Sequence, residues 1–140
     1  MVNIGVKPIR LKIQYRMHPS ISLFPSKCFY ESQLNNGVTE EDRPIGHVKF
    51  PNEKIPLVLW DVKGRELRPQ KGFSYYNSEE TDAICQIVTE LRNGGIKMSD
   101  IGIIAAYKGQ KNYIKKRISE GKIVSPKDIK ELEISSIDSF

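Results

Sequence analysis

The stretch IRLKIQYRMHPSISLFPSKCFY, residues 9–30, sets a short apolar run, a polar loop and a helical pattern one after another. Residues 9–13 are brief and rich in Ile and Leu, the make-up of a strand. Residues 19–30 have helical character, but Pro25 removes a backbone donor in their middle and predicts a break into two short turns. Three more apolar runs, at 57–62, 101–106 and 132–137, read as strands of the same kind. The clearest helix follows Asn77, whose side chain suits the cap position, with Glu80 three residues on to reach back in capping-box fashion. Ala83, Ile84, Ile87, Val88 and Leu91 then share one face, and Gly94 and Gly95 stop the helix. Another helix is expected over 108–119, with Tyr113, Ile114 and Ile118 inward and Lys111, Lys115, Lys116 and Arg117 mostly toward solvent.

Strands alternating with helices predict an α/β fold, a parallel sheet flanked by helices. Two irregular stretches interrupt it, 33–56 with the turn signal Asn35-Asn36-Gly37, and 63–76 with Gly64, Pro69 and Gly72. In such sheets ligands gather at the loops beyond the carboxyl ends of the strands, which directs attention to the loops after Ile13, Ala106 and Ile137.

The chain has 140 residues, enough for one compact domain by the usual length prior. Its 39% hydrophobic and 28% charged residues are those of a soluble globular protein, and no apolar run nears the roughly 20 residues of a membrane span. The opening ten residues have no continuous apolar core, so no signal peptide is expected, and the expectation is an intracellular, cytoplasmic location with the nucleus as the alternative. The two cysteines, Cys28 and Cys85, lie far apart and without metal-site spacing, which predicts two buried reduced thiols and no metal. A formal net charge of +5 favours a polyanionic partner through counterion release, a weak indication by itself.

Chemistry concentrates in Gln14-Tyr15-Arg16-Met17-His18-Pro19. An aromatic ring beside a guanidinium at a strand end suits a nucleotide, because the ring can stack on a base or ribose and the guanidinium fork can meet a phosphate. Composition alone leaves a plainer alternative, with Arg16 paired to a carboxylate and Tyr15 packed on the core. His18 before Pro19 is expected as a helix-entry residue, since no second ligand stands at coordinating spacing.

Residues 11–39, with the hexapeptide QYRMHP, resemble the fourth motif and following segment of superfamily-one RNA helicases of the up-frameshift and senataxin kind, closest to the up-frameshift type of nonsense-mediated mRNA decay. The likeness continues through Gly64-Arg65-Glu66, Ser74-Tyr75-Tyr76-Asn77, residues 101–104 and residues 133–140. It implies a truncated RecA-like domain over 1–140, the second of two motor domains that sandwich ATP, from the fourth motif to the start of the fifth. Arg16 then matches an arginine finger and Tyr15 the residue that stacks near the nucleotide.

The resemblance also implies an RNA track. The family usually has Thr-Pro-Tyr where this chain has Ala105-Ala106-Tyr107, so a contact through that threonine is not expected. Tyr107, Gln110 and the basic Lys108 and Lys111 remain as candidates for single-stranded RNA, set against a plain solvated helix start. Ser136 and Asp138, in what resembles the opening of the fifth motif, are candidates for the RNA backbone, set against a plain core strand.

No glycine-rich phosphate loop and no magnesium-binding Asp-Glu pair occurs in these residues. ATP and Mg2+ are therefore expected as cofactors of a longer ATP-dependent RNA helicase, with none bound by this stretch alone and no hydrolysis by it. The implied partners are single-stranded RNA, with DNA as alternative, the first RecA-like domain, and decay or surveillance factors. Rival readings are a senataxin-like nuclear RNA–DNA helicase, a stand-alone RNA-binding module and a ligand-free interaction domain.

Overall fold

The computed structural model describes residues 9–44, 46, 48–69, 72–121 and 123–137. They fall into two compact units, residues 1–59 and 60–140.

In the first unit, strand β1 (Ile13–Gln14) pairs in parallel with β2 (Asn35–Asn36), in the register Ile13 to Asn35 and Gln14 to Asn36. The connection is helix α1 (Pro19–Phe29). His18 caps it, its Nδ1 accepting from the Ser20 N–H at 3.1 Å, with Pro19 at the first turn where its missing donor costs nothing. The helix-entry role expected of His18 is therefore what the side chain performs. Asn35 and Asn36, expected as a turn, are a strand instead.

The break expected at Pro25 does not occur: α1 runs through it in one piece. Two buried serines one turn apart hold both halves. Ser22 Oγ lies 2.6 Å from Asn36 Oδ1, and Ser26 Oγ donates to the Leu34 carbonyl at 3.2 Å. The buried residues described in this unit are Gln14, His18, Ser22 and Ser26, so hydrogen bonds rather than apolar burial organise its interior. The apolar members of the run at 9–13 show why the expected strand shrinks: Ile9 is 94% and Leu11 80% exposed, and among the described residues no strand pairs with them. Cys28, expected buried, is exposed on α1.

The second unit begins with the antiparallel pair β3 (Glu66–Leu67) and β4 (Tyr76–Asn77). Helix α2 (Ser78–Asn93) follows directly. Asn77 caps it as expected, Oδ1 accepting from the Glu80 N–H at 3.0 Å. Glu80 returns to the Asn77 side-chain amide at 3.2 Å rather than to its backbone. Gly95, at φ +87°, ends the helix in the left-handed region that glycine enters without strain.

A short 3-10 turn at Met98–Asp100 leads to β5 (Gly102–Ala105), then α3 (Lys108–Glu120), α4 (Pro126–Glu131) and β6 (Glu133–Ser136). β5 and β6 pair in parallel, from Gly102 with Glu133 to Ala105 with Ser136. The core lies here. Ile103, Ala105 and Ile134 from the strands meet Cys85 and Val88 of α2, Ile114 and Ile118 of α3, and Met98, Val124 and Leu132. Ile114 and Ile118 are fully buried, each a contribution of about 1.5–3 kcal/mol by transfer bookkeeping.

The α/β class and the parallel pairings are thus as expected, while the single parallel sheet is not: the described strands form three two-stranded sheets. The run at 57–62 carries no strand: Leu57 and Leu59 are 63% and 95% exposed, and among the described residues no strand pairs with them. Helix α4 was not expected at all.

Candidate functional site

The loop leaving β1 is built around the carboxamide of Gln14. This side chain is buried, and each of its hydrogen-bonding capacities is used. Its Oε1 accepts from the Arg16 N–H at 2.9 Å and the Met17 N–H at 2.7 Å. Its Nε2 donates to the Met17 carbonyl at 3.0 Å and to Asn36 Oδ1 at 2.7 Å. A primary amide has two acceptor and two donor positions, so Gln14 is saturated.

The other side of the loop is held by Arg43. Its Nε donates to the Arg16 carbonyl at 3.1 Å, one terminal nitrogen donates to the Tyr15 carbonyl, and the other to the Asp42 carbonyl at 2.8 Å. Arg43 is presented by a turn in which Asp42 Oδ2 accepts from the Thr39 N–H at 2.9 Å and the Thr39 hydroxyl at 3.1 Å. Those Thr39 bonds, the backbone one first, hold the Asp42 carboxyl below its ordinary range.

What the loop presents outward is the pair expected to carry chemistry. Tyr15 is 62% exposed, and its ring lies over Gly37, where a Cβ would overlap it. Gly37 therefore serves to admit the ring, not to supply an unusual backbone angle. Arg16 is exposed, and among the described residues no carboxylate is paired with it. The plainer alternative, an ion-paired Arg16 and a core-packed Tyr15, is not what the geometry shows. A free guanidinium beside an open phenol ring can meet an anionic group and a planar one together.

The second unit holds the other candidates. Tyr107 follows β5, occupies the residue just before α3 without a side-chain capping bond, and is 52% exposed. Its ring meets Tyr75 edge-on at 6.3 Å, and the Arg68 guanidinium sits 4.6 Å above the Tyr75 ring. Lys111, half-buried one turn into α3, donates its backbone N–H to the Tyr107 carbonyl at 3.0 Å. Ser136, half-buried at the end of β6, stands across from Ala105 in the strand register. Tyr107 and Ser136 thus share the carboxyl edge of the parallel pair, where such sheets place ligands. Asp138 lies outside the described residues.

Gln110 departs from its expected place on this surface. It is buried: Oε1 accepts from the Asn77 N–H at 2.6 Å, and Nε2 donates to Thr81 Oγ1 at 3.1 Å and to the Asn77 carbonyl at 3.3 Å. It joins the starts of α2 and α3. Ser74 Oγ accepts from the Gly109 N–H at 2.8 Å, and a Cβ on Gly109 would meet the Tyr75 carbonyl at 2.6 Å.

Four contributors carried no expected role. Gln14 stood inside the quoted hexapeptide, and a buried amide immediately before a strand-end loop was its only signal. Arg43 lies 27 residues from Arg16, beyond any local pattern. Arg68 and Tyr75 are paired through a hairpin that periodicity does not show.

A family model described as an AAA domain matches residues 1–140. The chain is 39% identical over 142 aligned positions to the "Regulator of nonsense transcripts 1 homolog" of Neurospora crassa, covering 100% of this chain and 13% of that protein. It is 38% identical to the "ATP-dependent helicase NAM7" of Saccharomyces cerevisiae and 36% identical to the "ATP-dependent helicase upf1" of Schizosaccharomyces pombe, in each case across 100% of this chain and 15% of the relative. The chain therefore spans about one seventh or less of the length of these curated relatives.

Proposed function

The chain belongs to the AAA domain family, and on that premise we propose that it is the start and middle of the second, RecA-like motor domain of an ATP-dependent RNA helicase of the up-frameshift kind. The observation that carries this is the Tyr15–Arg16 loop, an exposed ring and an exposed guanidinium held on a strand end in the segment that matches helicases by name.

In this reading Arg16 faces the γ-phosphate of ATP held by the other motor domain, and Tyr15 lies against the nucleotide. ATP supplies the phosphoryl group and Mg2+ neutralises its charge; no magnesium ligand is assigned to this chain. The role of Arg16 is to stabilise charge on the transferring group, a contribution worth about 10^3 to 10^5 in rate for comparable fingers. Tyr107, Lys111, Ser136 and Asp138 make the RNA contact, Tyr107 by stacking on a base and the other three by meeting the backbone. The helicase acts on single-stranded RNA in nonsense-mediated decay, in the cytoplasm, with decay factors as partners. The relatives' names, "ATP-dependent helicase" and "Regulator of nonsense transcripts 1 homolog", support the helicase and nonsense-transcript parts of this reading.

The test is Arg16→Ala in the full-length protein. ATP turnover is expected to fall by about 10^3-fold or more with single-stranded RNA binding retained. Near-normal turnover overturns the assignment.

A further inference from the structure

Among the described residues no hydrogen bond or ion pair holds the side chain of Arg16, so its direction depends on the main chain that bears it. That main chain is gripped from two sides. Gln14 takes the N–H groups of Arg16 and Met17 and returns a bond to the Met17 carbonyl. Arg43 takes the carbonyls of Tyr15 and Arg16. Both sides trace back to one segment, because Asn36 accepts from Gln14 and the Thr39–Asp42 turn presents Arg43.

We propose that Gln14 and Arg43 are positioning residues for Arg16, fixing the peptide units on either side of it so that its guanidinium is already aimed before nucleotide arrives. This deepens the reading of Arg16 as the group that meets the phosphoryl oxygens, and rests on it. A buried neutral amide suits the first task because it accepts and donates at once, which neither a carboxylate nor an ammonium does. A guanidinium suits the second because its fork spans two adjacent carbonyls, which a lysine does not.

The consequence is kinetic. Arg16 acts where charge develops in transfer, so misaiming it lowers kcat while leaving ground-state ATP affinity, set mainly by the other motor domain, close to its original value. Displacing a reacting group by about 1 Å costs on the order of 10^2-fold.

The experiment uses full-length protein and measures kcat and KM for ATP, single-stranded RNA affinity and thermal unfolding. The variants are Gln14→Ala, Arg43→Ala and the milder Arg43→Lys, each alone and combined with Arg16→Ala. In the otherwise unaltered protein, Gln14→Ala and Arg43→Ala are expected to lower kcat by about 10- to 100-fold with KM changed less than about threefold. Arg43→Lys, which keeps the charge but not the fork, is expected to fall between Arg43→Ala and the unaltered protein. In the Arg16→Ala background the same substitutions are expected to cost less than about twofold, because there is no guanidinium left to aim.

If they cost as much with Arg16 absent as with it present, the two residues serve general stability and the proposal is overturned. Arg16→Ala abolishing turnover while both single variants stay normal also overturns it, and leaves the assignment of Arg16 intact. Arg16→Ala with normal turnover removes that assignment and this proposal together.

Discussion

Asn77 and Gln110 form a reciprocal pair across two helix starts, the Asn77 N–H donating to Gln110 Oε1 at 2.6 Å and Gln110 Nε2 donating back to the Asn77 carbonyl at 3.3 Å. The arrangement explains an oddity of the α2 cap. In a capping box the N3 side chain takes the backbone N–H of the cap residue. Here that N–H is already given to Gln110, so Glu80 turns to the Asn77 side chain instead.

Gln110→Leu keeps the bulk and removes both bonds to Asn77 together with the one to Thr81. A buried N–H left unpaired costs about 1–3 kcal/mol. Hydrogen exchange of the Asn77 amide in the full-length protein is expected to speed up by about tenfold to a hundredfold. Unchanged protection would show that the pair contributes nothing.

Gly37→Ala brings a methyl group into the Tyr15 ring. The ring must leave its seat, and a stacked ring pair such as the one proposed between Tyr15 and the nucleotide base is worth about 0.5–1.5 kcal/mol. KM for ATP is expected to rise a few-fold to tenfold, and to rise no further when Gly37→Ala is added to Tyr15→Ala. Equal effects in both backgrounds would detach Gly37 from the ring.

Asp42 titrates below its ordinary value of 3.8, so its folded form favours the carboxylate. Its contribution is fully present above that value and is lost as pH falls through the depressed one. Protection of the Thr39 amide is therefore expected to stay flat from neutrality to about pH 4 and to drop below it. In Asp42→Asn the drop should vanish.

Lys111→Ala and Tyr107→Ala separate charge from stacking on the proposed RNA surface. The lysine change is expected to reduce the slope of log K against log salt by about 0.7 for single strands. The tyrosine change is expected to cost about 1–3 kcal/mol of affinity with the slope unaltered. A titration series over salt reads both, and two unchanged slopes and affinities would take Tyr107 and Lys111 off the RNA path.

The helices with local signals were legible. The Asn77 cap, the span of α2 and the Gly94-Gly95 stop are nearest-neighbour chemistry and appear where the residues place them, whereas of the expected apolar face only Val88 is buried, with Thr81 and Cys85 beside it. Helix α4 had an equally local signal in Ser125-Pro126-Lys127-Asp128, realised as a capping box with Asp128 N–H to Ser125 Oγ at 3.2 Å. It went unread because the helix is only six residues long and has no buried face to give it periodicity. The cost of Pro25 is local, while the serines that tie α1 down bond to a segment 8 to 14 residues away. The run at 57–62 misled for the converse reason: apolar composition permits a strand, but only a neighbour with free hydrogen-bonding groups makes one. The exposed pair Tyr15 and Arg16 was visible from its chemistry, whereas the grip of Arg43 depends on folding that no spacing records.

The polar clasp around the Tyr15–Arg16 loop has one more consequence. Phosphate loops of nucleotide-binding proteins greet their ligand with a row of bare backbone amides. Here the amides of Arg16 and Met17 and the carbonyls of Tyr15 and Arg16 are already spoken for inside the protein. The loop addresses the outside through its appendages only, so its vocabulary can be rewritten one residue at a time while the scaffold beneath keeps its shape.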